Sequence, residues 1–117
     1  MSAAIEDFFT AWAIEDDAAR DAQVRGALGG SIYYADPRTE TAITSTDALL
    51  GYVGQFSKMA PGMPVSVAGT STTLTHVRAV VRFGAGDQSQ LGQYTADLDD
   101  AGKITRLIGF VGIGAPE

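Results

Sequence analysis

The stretch Leu98-Asp99-Asp100-Ala101-Gly102-Lys103-Ile104-Thr105-Arg106-Leu107 decides the reading of the fold. Asp and Gly cluster at its centre, and branched apolar residues stand on both sides. Asp tolerates tight-turn geometry and Gly accepts positive φ, so residues 99–102 predict a tight hairpin with its glycine late in the loop. The flanks then read as antiparallel partners. Gln90 to Leu98 enters the turn and Ile104 to Val111 leaves it.

Working backwards, Gly84-Ala85-Gly86-Asp87 is another turn, and Leu74 to Phe83 is the strand before it. Val65 to Ala68 is a further strand, with the Thr/Ser run at 70–73 as a candidate continuation. The first half has a different period. Ile5, Phe8, Phe9 and Trp12 recur at i, i+3, i+4, i+7, which makes one apolar helix face over about residues 3–14. Glu15-Asp16-Asp17 interrupts it, and an Asp there can cap a second helix running through Ala18, Ala22, Val24 and Leu28. Gly29-Gly30 is expected to stop that helix in the left-handed conformation. Ser31 to Ala35 reads as a short strand ended by Asp36-Pro37. Residues 38–44 read as a loop. Ser45 or Thr46 caps a third helix striped by Leu49, Val53 and Phe56, with help from Leu50 and Tyr52, and Pro61-Gly62 ends it. The tail at 112–117 is expected to be loose.

Helices followed by strands indicate an α+β class rather than alternating α/β. At 117 residues the chain makes one domain, 1–117, with no linker or internal repeat. It has no cysteine, which excludes disulfides and thiolate metal sites. The formal net charge of −6 speaks against nucleic acid and anionic membrane, both of which need a basic footprint. No apolar run approaches 18 residues. The N-terminus shows no leader pattern. A cytoplasmic location is therefore expected.

Three local patterns occur in a telling order. They are Tyr34-Ala35-Asp36-Pro37 after the Gly-Gly break, the helix Thr46–Lys58 ending at Pro61-Gly62, and the C-terminal hairpin followed by Phe110. Together they resemble the nuclear-transport-factor-two-like superfamily, which includes ketosteroid isomerases, polyketide cyclases and limonene epoxide hydrolases. The resemblance spans roughly residues 4–112. It implies three N-terminal helices packed on a strongly curved, mainly antiparallel sheet forming a cone. It also implies an apolar pocket inside the cone and a homodimer paired through the outer sheet face. Fold alone does not imply function, since the superfamily holds enzymes and plain binding modules.

The candidate residues each carry two readings. In the isomerases that the chain resembles, an aspartate at the place of Asp36 is the general base. A proton-shuttling carboxylate belongs at a pocket mouth, partly shielded from water. Asp before Pro also makes a good turn. Trp12 falls where those isomerases place an oxyanion-stabilising tyrosine; its indole N–H can donate one hydrogen bond, but it is not an acid of phenol strength. Its other reading is a core residue. Tyr94 lies near the isomerases' second acid, as proton donor or as pocket wall. Asp97 is the alternative, but strand alternation puts it on the opposite face.

His76, Arg78 and Arg82 share one strand face at period two, and no Asp flanks the arginines closely, so the epoxide-hydrolase arrangement is not met. That face is expected outside, in solvent or in a dimer contact. A single His builds no ordinary transition-metal site. No nucleophile elbow or phosphate loop is present, and no cofactor is implied.

Two functional readings follow. One is a small-molecule pocket protein without proven activity, its apolar ligand lined by Tyr34, Val53, Phe56 and Phe110. The other is a cofactor-independent isomerase or cyclase acting on a small apolar carbonyl compound, with Asp36 as base and Tyr94 or Trp12 at the oxyanion.

Overall fold

The structure is a computed structural model that describes residues 3–113. The expectation for the tail lies, from residue 114 on, outside the described residues. In chain order the elements are α1 (Ala3–Thr10), α2 (Asp17–Ala27), β1 (Leu28–Ala35), α3 (Thr46–Met59), β2 (Val65–Thr73), β3 (His76–Phe83), β4 (Gln90–Leu98) and β5 (Ile104–Val111). The strands form one sheet in the order β1-β5-β4-β3-β2. Every pair is antiparallel except β1 with β5. The chain is α+β, with three helices packed on this curved sheet.

Local chemistry accounts for most boundaries. The Asp16 side chain accepts from Ala19 N–H at 2.8 Å, and Ser45 Oγ accepts from Ala48 N–H at 3.1 Å, so both helices carry the expected caps. At the β4–β5 turn, Asp99 Oδ1 accepts from the N–H groups of Ala101 and Lys103, while Gly102 takes φ +79. Register shifts leave Ala68 of β2 unpaired opposite β3 and Thr105 of β5 unpaired opposite β4, and mark bulges in β2 and β5. A bulge adds one unpaired residue, bends its strand and increases local twist. The strand faces alternate as expected: Val77, Ala79 and Val81 are buried, whereas His76, Arg78 and Arg82 are exposed.

Three expectations need correction. The first helix stops at Thr10 and continues as a 3-10 turn over Ala11–Ala13, which carries Trp12. Leu74 belongs to the β2–β3 turn at φ +53, so β3 starts at His76. Gly29-Gly30 does not cap α2; the helix ends at Ala27 and both glycines lie in β1. Gly29 is small for a different reason. A Cβ there would lie 2.8 Å from Asp99 Oδ2 and 3.0 Å from Thr105 Cγ2. Close approach of the C-terminal hairpin, rather than a left-handed turn, calls for glycine.

The core lies between the helices and the inner sheet face. Ile5, Phe8 and Phe9 of α1, Val24 of α2, Leu49 and Val53 of α3, Val81 of β3, and Ile104 and Leu107 of β5 are fully buried within it. Arg20 is also buried, and its guanidinium donates to the carbonyls of Ile14 and Glu15 and pairs with Asp17. That pairing lowers the pKa of Asp17 from the usual carboxylate range, chiefly through the hydrogen bond with Arg20. The result ties α2 to the segment that follows Trp12.

Candidate functional site

A pocket of about 430 Å³ opens at one end of the molecule, between α3 and the sheet. That size is within the usual range for a small-molecule site, roughly 300–1,000 Å³. Its walls come from four places. The 3-10 turn gives Trp12. The segment after β1 gives Asp36, Pro37 and Arg38. The face and end of α3 give Tyr52, Phe56 and Met59. The sheet gives Phe83, Tyr94 and, at the end of β5, Phe110 and Val111.

Trp12 is the hub of the aromatic wall. Its ring centroid is 4.9 Å from Phe56, 5.8 Å from Phe83, 5.9 Å from Phe9 and 6.1 Å from Tyr52, at tilted or edge-on angles that suit the ring quadrupoles. Trp12 is only 3% exposed, and its Nε1 is buried without a hydrogen-bond partner.

Asp36 is held from all sides. Its Oδ2 accepts from Tyr34 OH at 2.5 Å and from Tyr52 OH at 2.7 Å. Its Oδ1 accepts from the backbone N–H groups of Arg38 at 2.8 Å and Thr39 at 3.2 Å. Thr39 Oγ1 accepts from the Asp36 N–H and donates to its carbonyl, closing the turn. A carboxylate offers about four lone-pair positions, and here four donors fill them.

The tyrosines beside it are kept neutral. Burial raises the pKa of Tyr34 well above the ordinary value, and the neighbouring Tyr94 and Asp36 add to the effect. Tyr52 is raised by desolvation first and then by its hydrogen bond to Asp36. Tyr94 is raised by desolvation, against which its hydrogen bond with Tyr34 acts. The hydroxyls of Tyr34 from β1 and Tyr52 from α3 thus converge on one oxygen of the Asp36 carboxylate.

The candidates are distributed as follows. Asp36, Trp12, Tyr94, Phe56 and Phe110 meet at the pocket. Tyr34 is fully buried behind the wall and reaches the site only through its hydroxyl. Val53 is also fully buried; it faces the core, not the pocket, because it points from α3 between the helices and the sheet. Asp97 is on the outer face, 2.6 Å from His76 Nδ1. Sequence reasoning missed Tyr52, Arg38 and Phe83. Tyr52 was visible only as part of an apolar helix stripe. Among the described residues, no cluster of His and acidic side chains could hold a metal ion.

The arrangement of three helices over this sheet superposes on several solved structures. A member of the SnoaL-like family from Agrobacterium tumefaciens superposes with a TM-score of 0.80 at 22% identity, covering 92% of both chains. The fold is the nuclear-transport-factor-two-like cone. A protein from Catenulispora acidiphila with a ketosteroid isomerase-like fold, solved with trimethylamine, matches this cone at 0.74 and 12% identity, over 95% of this chain and 86% of that one. An LEH-like epoxide hydrolase of M. tuberculosis matches at 0.67 and 17%, over 95% and 81%. No family model and no curated protein matches the chain. At such identities the cone is shared, while the chemistry of the neighbours stays with them.

Proposed function

We propose that this chain is a small-molecule binding protein whose cone takes one flat, mostly apolar molecule carrying a hydrogen-bond acceptor. The observation that carries this reading is the indole N–H of Trp12, buried and unpaired in a residue that lines the pocket. An unpaired buried donor costs about 1–3 kcal/mol. Native interiors seldom leave one without a reason. Because Nε1 is closed off from the cavity, a carbonyl or ether oxygen of a bound ligand would satisfy it by displacing a neighbouring ring, with the ligand's apolar body against the remaining rings.

The alternative, a cofactor-independent isomerase or cyclase with Asp36 as general base, has less support. A base needs a lone pair aimed at the substrate proton. The lone pairs of Asp36 are engaged by Tyr34, Tyr52, Arg38 N–H and Thr39 N–H, so a substrate proton would have to displace one of them.

The test uses the sole tryptophan as reporter. Steroids, polyketide aromatics and terpenoids are titrated while Trp12 emission is followed, with affinities near micromolar expected, about −8 kcal/mol. Trp12→Phe keeps a ring but loses the N–H, and calorimetry should show weaker binding of any hit. Unchanged emission and flat calorimetry across the panel would sink the reading.

The proposal extends to a cytoplasmic homodimer. Support for the dimer is the outer sheet face, where Val80 and Ile108 remain partly exposed among polar side chains.

A further inference from the structure

We propose that the ligand carries a carboxylate and that Arg38 is the residue that recognises it; this rests on the binding reading above and names the class of molecule. Arg38 and Asp36 are the charged residues of the pocket wall. Their situations differ. The Asp36 carboxylate is committed to four internal donors. The Arg38 guanidinium makes no ion pair and donates no hydrogen bond among the described residues, although Arg20 and Arg25 form ion pairs. The uncommitted charge of the pocket is therefore positive, in a chain whose formal net charge is −6.

The position of Arg38 is fixed from its backbone. Its N–H is locked onto Asp36 Oδ1 at 2.8 Å, in the turn that Pro37 stiffens. Its side chain reaches over the Phe56 ring, with Cζ 6.0 Å from the ring centre. Arg38 is exposed and lines the pocket, so its guanidinium stands at the mouth, between cavity and solvent. A planar guanidinium presents paired N–H donors whose spacing matches a carboxylate.

The ligand that answers this geometry has an aromatic or alicyclic body against Trp12, Phe56 and Phe83 and a carboxylate at the mouth. A neutral ligand would leave the cation unused. A cationic ligand would meet Arg38 at the entrance and an Asp36 already occupied.

Calorimetry with two matched probes, 2-naphthoate and 2-naphthamide, tests this in low-salt buffer at pH 7. The wild type should hold the carboxylate about tenfold more tightly than the amide, a difference that shrinks with added salt. Arg38→Met keeps the backbone N–H and removes the charge. It should bring 2-naphthoate down to the affinity of the amide with an unchanged melting temperature, and Arg38→Lys should recover part of the preference. Equal affinities for the two probes in the wild type, or a preference that survives Arg38→Met, would overturn the role of Arg38 while leaving the pocket reading standing. If neither probe binds at millimolar concentration, both readings fall.

Discussion

The hydroxyl of Tyr52, on α3, donates to Oδ2 of Asp36 at 2.7 Å, and so joins the third helix to the turn that ends β1. Tyr34 OH meets the same oxygen from inside β1. One carboxylate thus gathers a strand, a turn and a helix that are otherwise linked by few contacts. The arrangement has structural as well as chemical consequences.

Asp36→Asn should destabilise the fold at pH 7. The amide keeps the shape but replaces one acceptor oxygen with an NH₂ group. Either a tyrosine O–H or a backbone N–H then faces a donor. Losing partners for buried or half-buried polar groups costs about 2 kcal/mol. Thermal and urea melts of both proteins measure it. An Asn variant that melts at or above the wild-type temperature would show that Asp36 is strained in place, as an idle general base would be.

Gly109→Ala should also destabilise. A Cβ at 109 would stand 2.5 Å from Cε2 and 2.9 Å from Cζ of Tyr94. That ring cannot retreat easily, because Phe9 lies behind it with centroids 4.6 Å apart. Overpacking of this kind costs about 1–3 kcal/mol. Tyr94→Phe keeps the offending ring atoms and should give no relief, whereas Tyr94→Leu should couple favourably with Gly109→Ala in a double-mutant cycle. Additive single and double effects would disprove the clash.

Much of this was legible in the sequence where local chemistry decides structure. The residues 99–102 turn and the Asp16 and Ser45 caps depend on side chains two to four positions from the groups they bond. Gly29 was misread because its reason is distant: Asp99 and Thr105 press on it from some 70 residues away. The site divides the same way. The order of patterns pointed to Asp36, Trp12 and Tyr94, and these meet at one pocket. An apolar stripe cannot say which of its members faces a cavity, so Val53 was assigned to the pocket and Tyr52 was not. Arg38 lies in a loop without periodicity, and only its lack of an ion pair or side-chain hydrogen bond in three dimensions marks it.

The outer sheet face should pair with a second copy across a two-fold axis. Light scattering on a sizing column is expected to give about twice the chain mass of 12.2 kDa. Ile108→Glu, on the partly exposed side of β5, should shift the mass toward one chain without changing ligand binding. A wild type that stays a monomer at high micromolar concentration would remove the dimer.

The tyrosines predict the behaviour at high pH. Tyr34, Tyr52 and Tyr94 all have pKa values raised by burial, with Asp36 contributing in each case. Unfolded tyrosine ionises near pH 10. A folded value above the unfolded one means that folding favours the protonated phenol. The stabilising effect is fully present below about pH 10 and is lost as the pH rises through the raised folded values. The chain has four tyrosines, so Tyr33→Phe leaves only these three. In that variant, tyrosinate absorbance should stay absent at pH 11 while circular dichroism remains native. It should then appear in one step with the loss of structure. Asp36→Asn in the same background removes a neighbouring negative charge and should bring the first ionisation to lower pH if the fold survives. A gradual tyrosinate signal near pH 10 in fully folded protein would show that the three phenols are not shielded by burial as the structure has them.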